Sequence, residues 1–433
     1  MRRRSFLASA AAAPLAACGV SRAPKEESRQ AAMNIAEARK KYRHDLFEEY
    51  LPFWEKFGVD HEHGGFFHSL DYDGTRVKTD KFHWFQGRGV WVYSFLYQHF
   101  GKEARYLEIA RKAKDFMLKH GPQPDGWWAE TLTPEGKLVR PFAGDVYGMY
   151  FGAEGLQEFA AATGDAQAHE LSLGLMKKLW SYINSPSVQL PGTGRPGVRP
   201  QGMWMVNLRI ATQMLRRWKD PEIAEIAERC VDAIINRHYN PDIGLNNELL
   251  NFDFSRPPEE ATKSLLGHSA ETLWMVMDEA DRRGDSKLWQ TAAERIRRHL
   301  DVGWDYVYGG LAQWINVDQG CYQWPADRPV GTDLEFRGTG EYFYMKPLWA
   351  LNEVLIAALN IYERTRAEWA ARYFTMAQDL IDRKYSARPH GKSGYMLFAD
   401  RKLTFQPHVT RQDNYHPPRQ LMLNLLTLER MAT

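Results

Sequence analysis

Along most of the chain apolar residues recur every three to four positions, the spacing of one helix face. Gly and Pro punctuate this pattern and divide it into twelve predicted helices: 31–56, 84–100, 104–119, 143–163, 167–183, 199–217, 220–238, 263–283, 285–300, 342–364, 366–384 and 415–431. Odd-numbered segments carry charge on one face, as from Ala104 to Lys119 and from Ala292 to Leu300. Even-numbered segments are apolar nearly all round, as from Leu348 to Ile361 and from Leu421 to Leu428. A helix apolar on every side is buried, and an amphipathic one covers it.

The connectors repeat as well. They read Gly64-Gly65-Phe66-Phe67 followed by Asp73-Gly74, Asp125-Gly126-Trp127-Trp128 followed by Glu135-Gly136, Gly244-Leu245-Asn246-Asn247, Gly309-Gly310-Leu311 followed by Asp318-Gln319-Gly320, and Gly394-Tyr395-Met396-Leu397. Each predicts a Gly-led short strand, often closed by an acidic-Gly turn. A unit of outer helix, small hairpin and inner helix recurring roughly every sixty residues is an internal repeat. Six such pairs predict an all-α fold, an (α/α)6 barrel with short β-hairpin connectors. An open solenoid competes, but the buried even helices favour a closed ring.

The N-terminus follows a different pattern. Arg2, Arg3 and Arg4 precede a short Ala-rich run ending in Leu15-Ala16-Ala17-Cys18. That run is too short to span a membrane and suits a signal peptide. Arg3-Arg4-Ser5-Phe6-Leu7 resembles a twin-arginine export signal, and Leu15 to Cys18 a bacterial lipobox. The expected organisation is a cleaved signal at 1–17, a tether lipidated on Cys18 at 18–32, and one catalytic barrel at 33–433. The protein is expected to be exported, periplasmic and membrane-anchored by lipid alone. Cys230 and Cys321 need not pair, since spacing alone does not establish proximity.

Composition narrows the class. Hydrophobic residues make up 44% and charged residues 25%, enough for a large core, and the net charge of +2 gives no electrostatic case for nucleic acid. The 15 Trp, 20 Tyr and 21 Phe exceed what a core needs and suit a pocket for a ligand with flat apolar faces, such as a sugar. No phosphate-binding Gly loop or dinucleotide fingerprint is present, so no cofactor is implied. Asp60-His61-Glu62-His63 has the residue types of a metal site but no matching distant ligands, so no metal is expected. Monomer and homodimer both remain open.

Unusual polar residues cluster at the starts of the even helices: Arg88, Asp145 with Tyr147, Trp204 with Asn207, His268 with Glu271, Lys346 with Trp349 and Glu353, and His416 with Arg419. If the even helices form a parallel inner ring, these residues converge at one mouth. The helix N-termini then favour a developing oxyanion there. His268 and Glu271 share a face at i, i+3, and Tyr342, Lys346, Trp349 and Glu353 form a predicted stripe down the tenth helix.

Four motifs carry a resemblance. Trp84-Phe85-Gln86-Gly87-Arg88-Gly89-Val90-Trp91, Gly267-His268-Ser269-Ala270-Glu271, Lys346-Pro347-Leu348-Trp349 with Glu353, and His416-Pro417-Pro418-Arg419 occur in order over about residues 35–430. They resemble the N-acylglucosamine 2-epimerase family, which includes cellobiose 2-epimerases and aldose–ketose isomerases. The resemblance implies an (α/α)6 barrel and cofactor-free proton transfer at C2 of a reducing sugar through an enediol. His268 and His416 would be the acid/base pair, Arg88 would bind near the reacting oxygens, and Glu271 would support His268. Trp349 and Glu353 would contact substrate or shape the pocket, with Lys346, Asn207, Trp204 and Tyr147 as further substrate-binding candidates. The chain departs from the family where Asn207 stands in place of a His, Arg209 in place of an acid, and Leu348 in place of a Trp. Two other functions fit such a barrel: a glycoside hydrolase or lyase drawing its acids from Asp145, Glu271 and Glu353, or a sugar-binding lipoprotein without turnover.

Overall fold

The periodic segments become twelve helices among the residues that the computed structural model describes, 34–317, 345–386, 398–399, 402–403 and 408–432. They are α1 (35–58), α2 (His83–His99), α3 (Ala104–His120), α4 (Tyr147–Thr163), α5 (Ala166–Ile183), α6 (Gln201–Leu215), α7 (221–238), α8 (Leu266–Arg283), α9 (Ser286–Gly303), α10 (Leu348–Thr365), α11 (368–385) and α12 (His416–Ala432). Cys18, Cys321, Tyr342 and the turns at 318–320 and 394–397 lie outside the described residues.

The even helices pack in a ring: α2 on α4, α4 on α6, α6 on α8, α8 on α10, α10 on α12, and α12 back on α2. Each of α2 to α10 in that ring is covered by the odd helix that follows it, and α12 by α1. The protein is an (α/α)6 barrel, and closure excludes the open solenoid. The two sets are capped differently. The outer helices α1, α5, α7 and α9 begin with Asn34, Asp165, Asp220 and Asp285, whose side chains accept first-turn N–H groups. The inner helices α2, α6, α8 and α10 begin after extended residues with no side-chain cap. Their positive ends are left toward the mouth.

Four of the five predicted hairpins are present, and the fifth lies outside the described residues. Val59 bridges Phe66, Pro122 bridges Trp128, Tyr239–Asn240 pairs with Leu245–Asn246, and Trp304 bridges Leu311. Gly64, Gly126, Gly244 and Gly309 hold their turns at φ +81°, +81°, +69° and +85°, a region that favours glycine. Three inner helices are preceded by extended residues where the periodicity predicts helix, and α4 begins at Tyr147 rather than 143. Arg199–Pro200, Lys263–Leu265 and Lys346–Pro347 are extended and pair with Leu249–Leu250, Trp314–Asn316 and Phe398–Ala399.

Two of the repeats share a clamp. Lys81, just before α2, reaches back to Asp60 Oδ2 (2.7 Å) and the Gly64 carbonyl (2.7 Å). Lys346, just before α10, makes the same bonds to Asp305 Oδ2 (2.7 Å) and the Gly309 carbonyl (2.6 Å). A buried lysine thus ties the preceding hairpin turn to the coming inner helix, and Asp60 is engaged in this clamp. Cys230 is a free, buried thiol. Helices α2 and α4 cross closely, because a Cβ on Gly87 would meet the Phe151 backbone and one on Gly155 the Gly87 carbonyl.

Candidate active site

A cavity of about 230 Å³ opens where the inner helices begin. Arg88 enters it from α2, Tyr147 from α4, His268 and Glu271 from α8, Trp349 from α10 and His416 from α12. The two histidines flank one indole: each imidazole centroid lies 5.5 Å from that of Trp349.

Each histidine is tied through Nδ1 to a different carboxylate. His268 Nδ1 lies 3.1 Å from Glu248 Oε1, and His416 Nδ1 lies 2.8 Å from Glu353 Oε1. These bonds place the Nδ1 proton toward the acids and leave Nε2 for a substrate. Burial works to lower the His268 pKa, but Glu248 beside it, with Glu271 and Glu353 further off, raises it above the ordinary value. Burial alone would raise the Glu353 carboxyl; Arg419 and His416 hold it well below the carboxylate range instead.

Arg419 anchors the floor. Its Nη2 donates to Glu271 Oε1 and, at 2.6 Å, to Glu353 Oε1, and lies 3.3 Å from His416 Nδ1. Glu271, Glu353 and His416 come close enough together to hold a metal ion, but the cation among them is this guanidinium. Arg88 differs. It is nine-tenths buried, stacked 3.9 Å over Phe151 and 4.9 Å over Tyr415, and makes no hydrogen bond with any described residue. Burial lowers its pKa, against Asp413 and Tyr415. An arginine with unused donors in a cavity is positioned for a developing oxyanion.

The structure thus brings together Arg88, Tyr147, His268, Glu271, Trp349 and His416, with Glu353 directly behind His416. It separates Lys346, Asn207 and Trp204 from them. Lys346 precedes α10, so the predicted stripe breaks there and the ammonium goes to the clamp. Asn207 donates to Tyr150 Oη (2.8 Å) and the Met203 carbonyl (2.7 Å) and does not itself line the cavity. Trp204 packs edge-on against Trp180 at 5.8 Å, toward α5. On α6 it is Met205, Val206, Arg209 and Ile210 that line the cavity. Glu271 does not hydrogen-bond His268; it pairs with Arg419 and acts on the imidazole only through its charge, while Glu248 takes the hydrogen-bonding position. Sequence reasoning missed Glu248, whose signal, a carboxylate after Asn246-Asn247 on a Gly-led connector, is weak. Asp145 is occupied by Trp84 Nε1 (2.8 Å) and the Tyr147 N–H (3.0 Å), so Asp145, Glu271 and Glu353 do not form the acid pair a hydrolase requires.

A closed (α/α)6 ring holding two carboxylate-backed histidines and an unpaired arginine at one mouth defines a carbohydrate epimerase or isomerase. Comparison with known proteins narrows this class. The chain belongs to the N-acylglucosamine 2-epimerase (GlcNAc 2-epimerase) family, whose model matches residues 65–417. It is 27% identical over 328 residues to the N-acylglucosamine 2-epimerase of Mus musculus, covering 72% of this chain and 73% of the relative. It is 27% identical over 384 residues to the cellobiose 2-epimerase of Bacteroides fragilis, covering 83% and 91%. Among solved structures, the cellobiose 2-epimerase of Bacillus thermoamylovorans superposes with a TM-score of 0.74 at 18% identity, over 91% of this chain and all of that one.

Proposed function

We propose that this protein epimerises a free reducing sugar at C2, without a cofactor, using His268 and His416 as the acid/base pair. The observation that carries this reading is the pairing of two Nδ1-anchored imidazoles with a hydrogen-bond-free Arg88 in one cavity. One imidazole Nε2 takes the C2 proton. The C–H electron pair becomes the C1=C2 bond of an enediolate, and the former carbonyl oxygen takes the negative charge against Arg88. The other imidazolium returns a proton to the opposite face of C2, inverting it. Return to C1 instead, with the O2 proton passing to O1, gives the ketose where C2 bears a hydroxyl, so isomerisation shares the intermediate. Trp84, Tyr147 and Trp349 supply flat faces, and the cavity volume suits one sugar unit: a monosaccharide or the reducing end of an oligosaccharide.

The test is NMR in D2O with N-acetylglucosamine, mannose and cellobiose. Deuterium entering at C2, with the epimer accumulating, is the expected result. His268→Asn and His416→Asn should each slow this exchange about 10²–10⁴-fold with the fold intact. Full exchange in the double variant, or cleaved glycosides with no exchange, overturns the assignment.

The same reading extends to location. The arginine-led signal and the lipobox support export and acylation on Cys18, with the sugar substrate met outside the cytoplasm. Mass spectrometry of the N-terminal peptide from membranes tests this: a diacylglyceryl Cys18 supports it, and an intact Met1 refutes it.

A further inference from the structure

The barrel holds a second cavity of about 410 Å³ at the opposite end, where the inner helices finish. All six inner helices line it, and the Arg209 side chain, which also faces the front cavity, partitions the two. Its chemistry is defined by groups left unused. Glu158 is 7% exposed and accepts no hydrogen bond from any described residue. Burial, set against Arg209 and Arg217, pushes its carboxyl up to about 7. Beside it, Gln157 Nε2 is a buried donor without an acceptor, and Gln98 Oε1 a buried acceptor without a donor. An unsatisfied buried carboxylate costs stability, so the fold maintains this arrangement at an expense that a ligand would offset.

The unused groups say what that ligand is. An anion is less well matched, because the lining arginines already have partners: Arg209 has Glu154 and Asp278, Arg216 has Asp278, Arg430 has Glu363, and Arg217, which pairs with no carboxylate among the described residues, donates to the Ala161 carbonyl. Two acceptors and a donor in one wall call for groups that both give and take hydrogen bonds, which hydroxyls do. Phe95, Trp274 and His99, the last with its ring centroid 4.2 Å from that of Phe95 and tilted to it, offer apolar faces to C–H groups. We propose that this rear cavity is a second, non-catalytic binding site for a polyol, a sugar or sugar alcohol whose neighbouring hydroxyls donate to Glu158 while another accepts from Gln157.

The test uses D-glucitol and methyl α-D-mannopyranoside, neither of which has a carbonyl for proton exchange, in calorimetric titrations of the full chain. Inorganic phosphate is titrated in parallel, and crystals are soaked with each probe. Saturable polyol binding should survive Arg88→Ala at the front and weaken about tenfold or more in Glu158→Gln, with density in the rear cavity. A thermal melt of Glu158→Gln at or above the parent confirms its fold, and Gln157→Ala gives a second, milder loss. Three results overturn the proposal: no polyol binding, binding that Arg88→Ala removes and Glu158→Gln spares, or phosphate in place of the polyol in the rear density.

Discussion

Glu248→Gln isolates the charge behind His268 while keeping an oxygen in place to accept from Nδ1. The carboxylate oxygen lies 3.1 Å from that nitrogen and is almost fully buried. At an effective dielectric near 20, unit charges about 4 Å apart attract by about 4 kcal/mol, equivalent to about three pKa units. Glu271 and Glu353 still act on the ring, and the amide still accepts the hydrogen bond, so the His268 pKa is expected to fall, by less than that full attraction. The assay is kcat/KM for C2 proton exchange as a function of pH. The base must be neutral to take the proton, so the acid limb of the profile should move to lower pH. The plateau should fall about tenfold, because a weaker base removes the proton more slowly. An acid limb that stays in place while activity is lost, or one that moves to higher pH, refutes the electrostatic role of Glu248.

Arg419→Met strips the cation from Glu271 and Glu353, which are both buried; stability should fall by about 3–5 kcal/mol in chemical denaturation. Glu158→Gln should stabilise the fold at pH 8 by up to about 3 kcal/mol. The native carboxyl near 7 binds its proton more tightly than an unfolded one near 4.3, so the parent loses stability as pH rises between these values, and the variant's advantage should vanish by about pH 4.5. Gly87→Ala drives a methyl into the α4 backbone and should cost about 1–3 kcal/mol, with weaker sugar binding as Arg88 shifts; an unchanged melting temperature would contradict the close crossing of α2 and α4.

The barrel was legible because burial writes itself into periodicity. Inner helices such as α10 are apolar all round, outer ones such as α9 only on one side, and Gly64, Gly126, Gly244 and Gly309 mark the turns between them. What escaped was pairing across the ring. Spacing places His268 and Glu271 on one face, but Arg419, from α12, draws Glu271 away, and Glu248 arrives from a connector. Lys346 fitted the helical stripe only while α10 was taken to begin before it; the extended Lys346–Pro347 pair moves the side chain to Asp305. On α6, a shift of two residues along the chain turns the side chain by roughly 200°, which is why Arg209 faces the cavity and Asn207 does not. Glu154, Gln157 and Glu158 interrupt a largely apolar inner helix, but only the assembled ring shows that Gln157 and Glu158 border a second space.

Helix α12 touches α1, α2 and α10, so it is the stave that shuts the barrel. It also brings His416, and with Arg419 it locks acids from α8 and α10. Ring closure and the second proposed acid/base group thus depend on one element, so a chain lacking α12 is expected to be silent toward sugars rather than partly active.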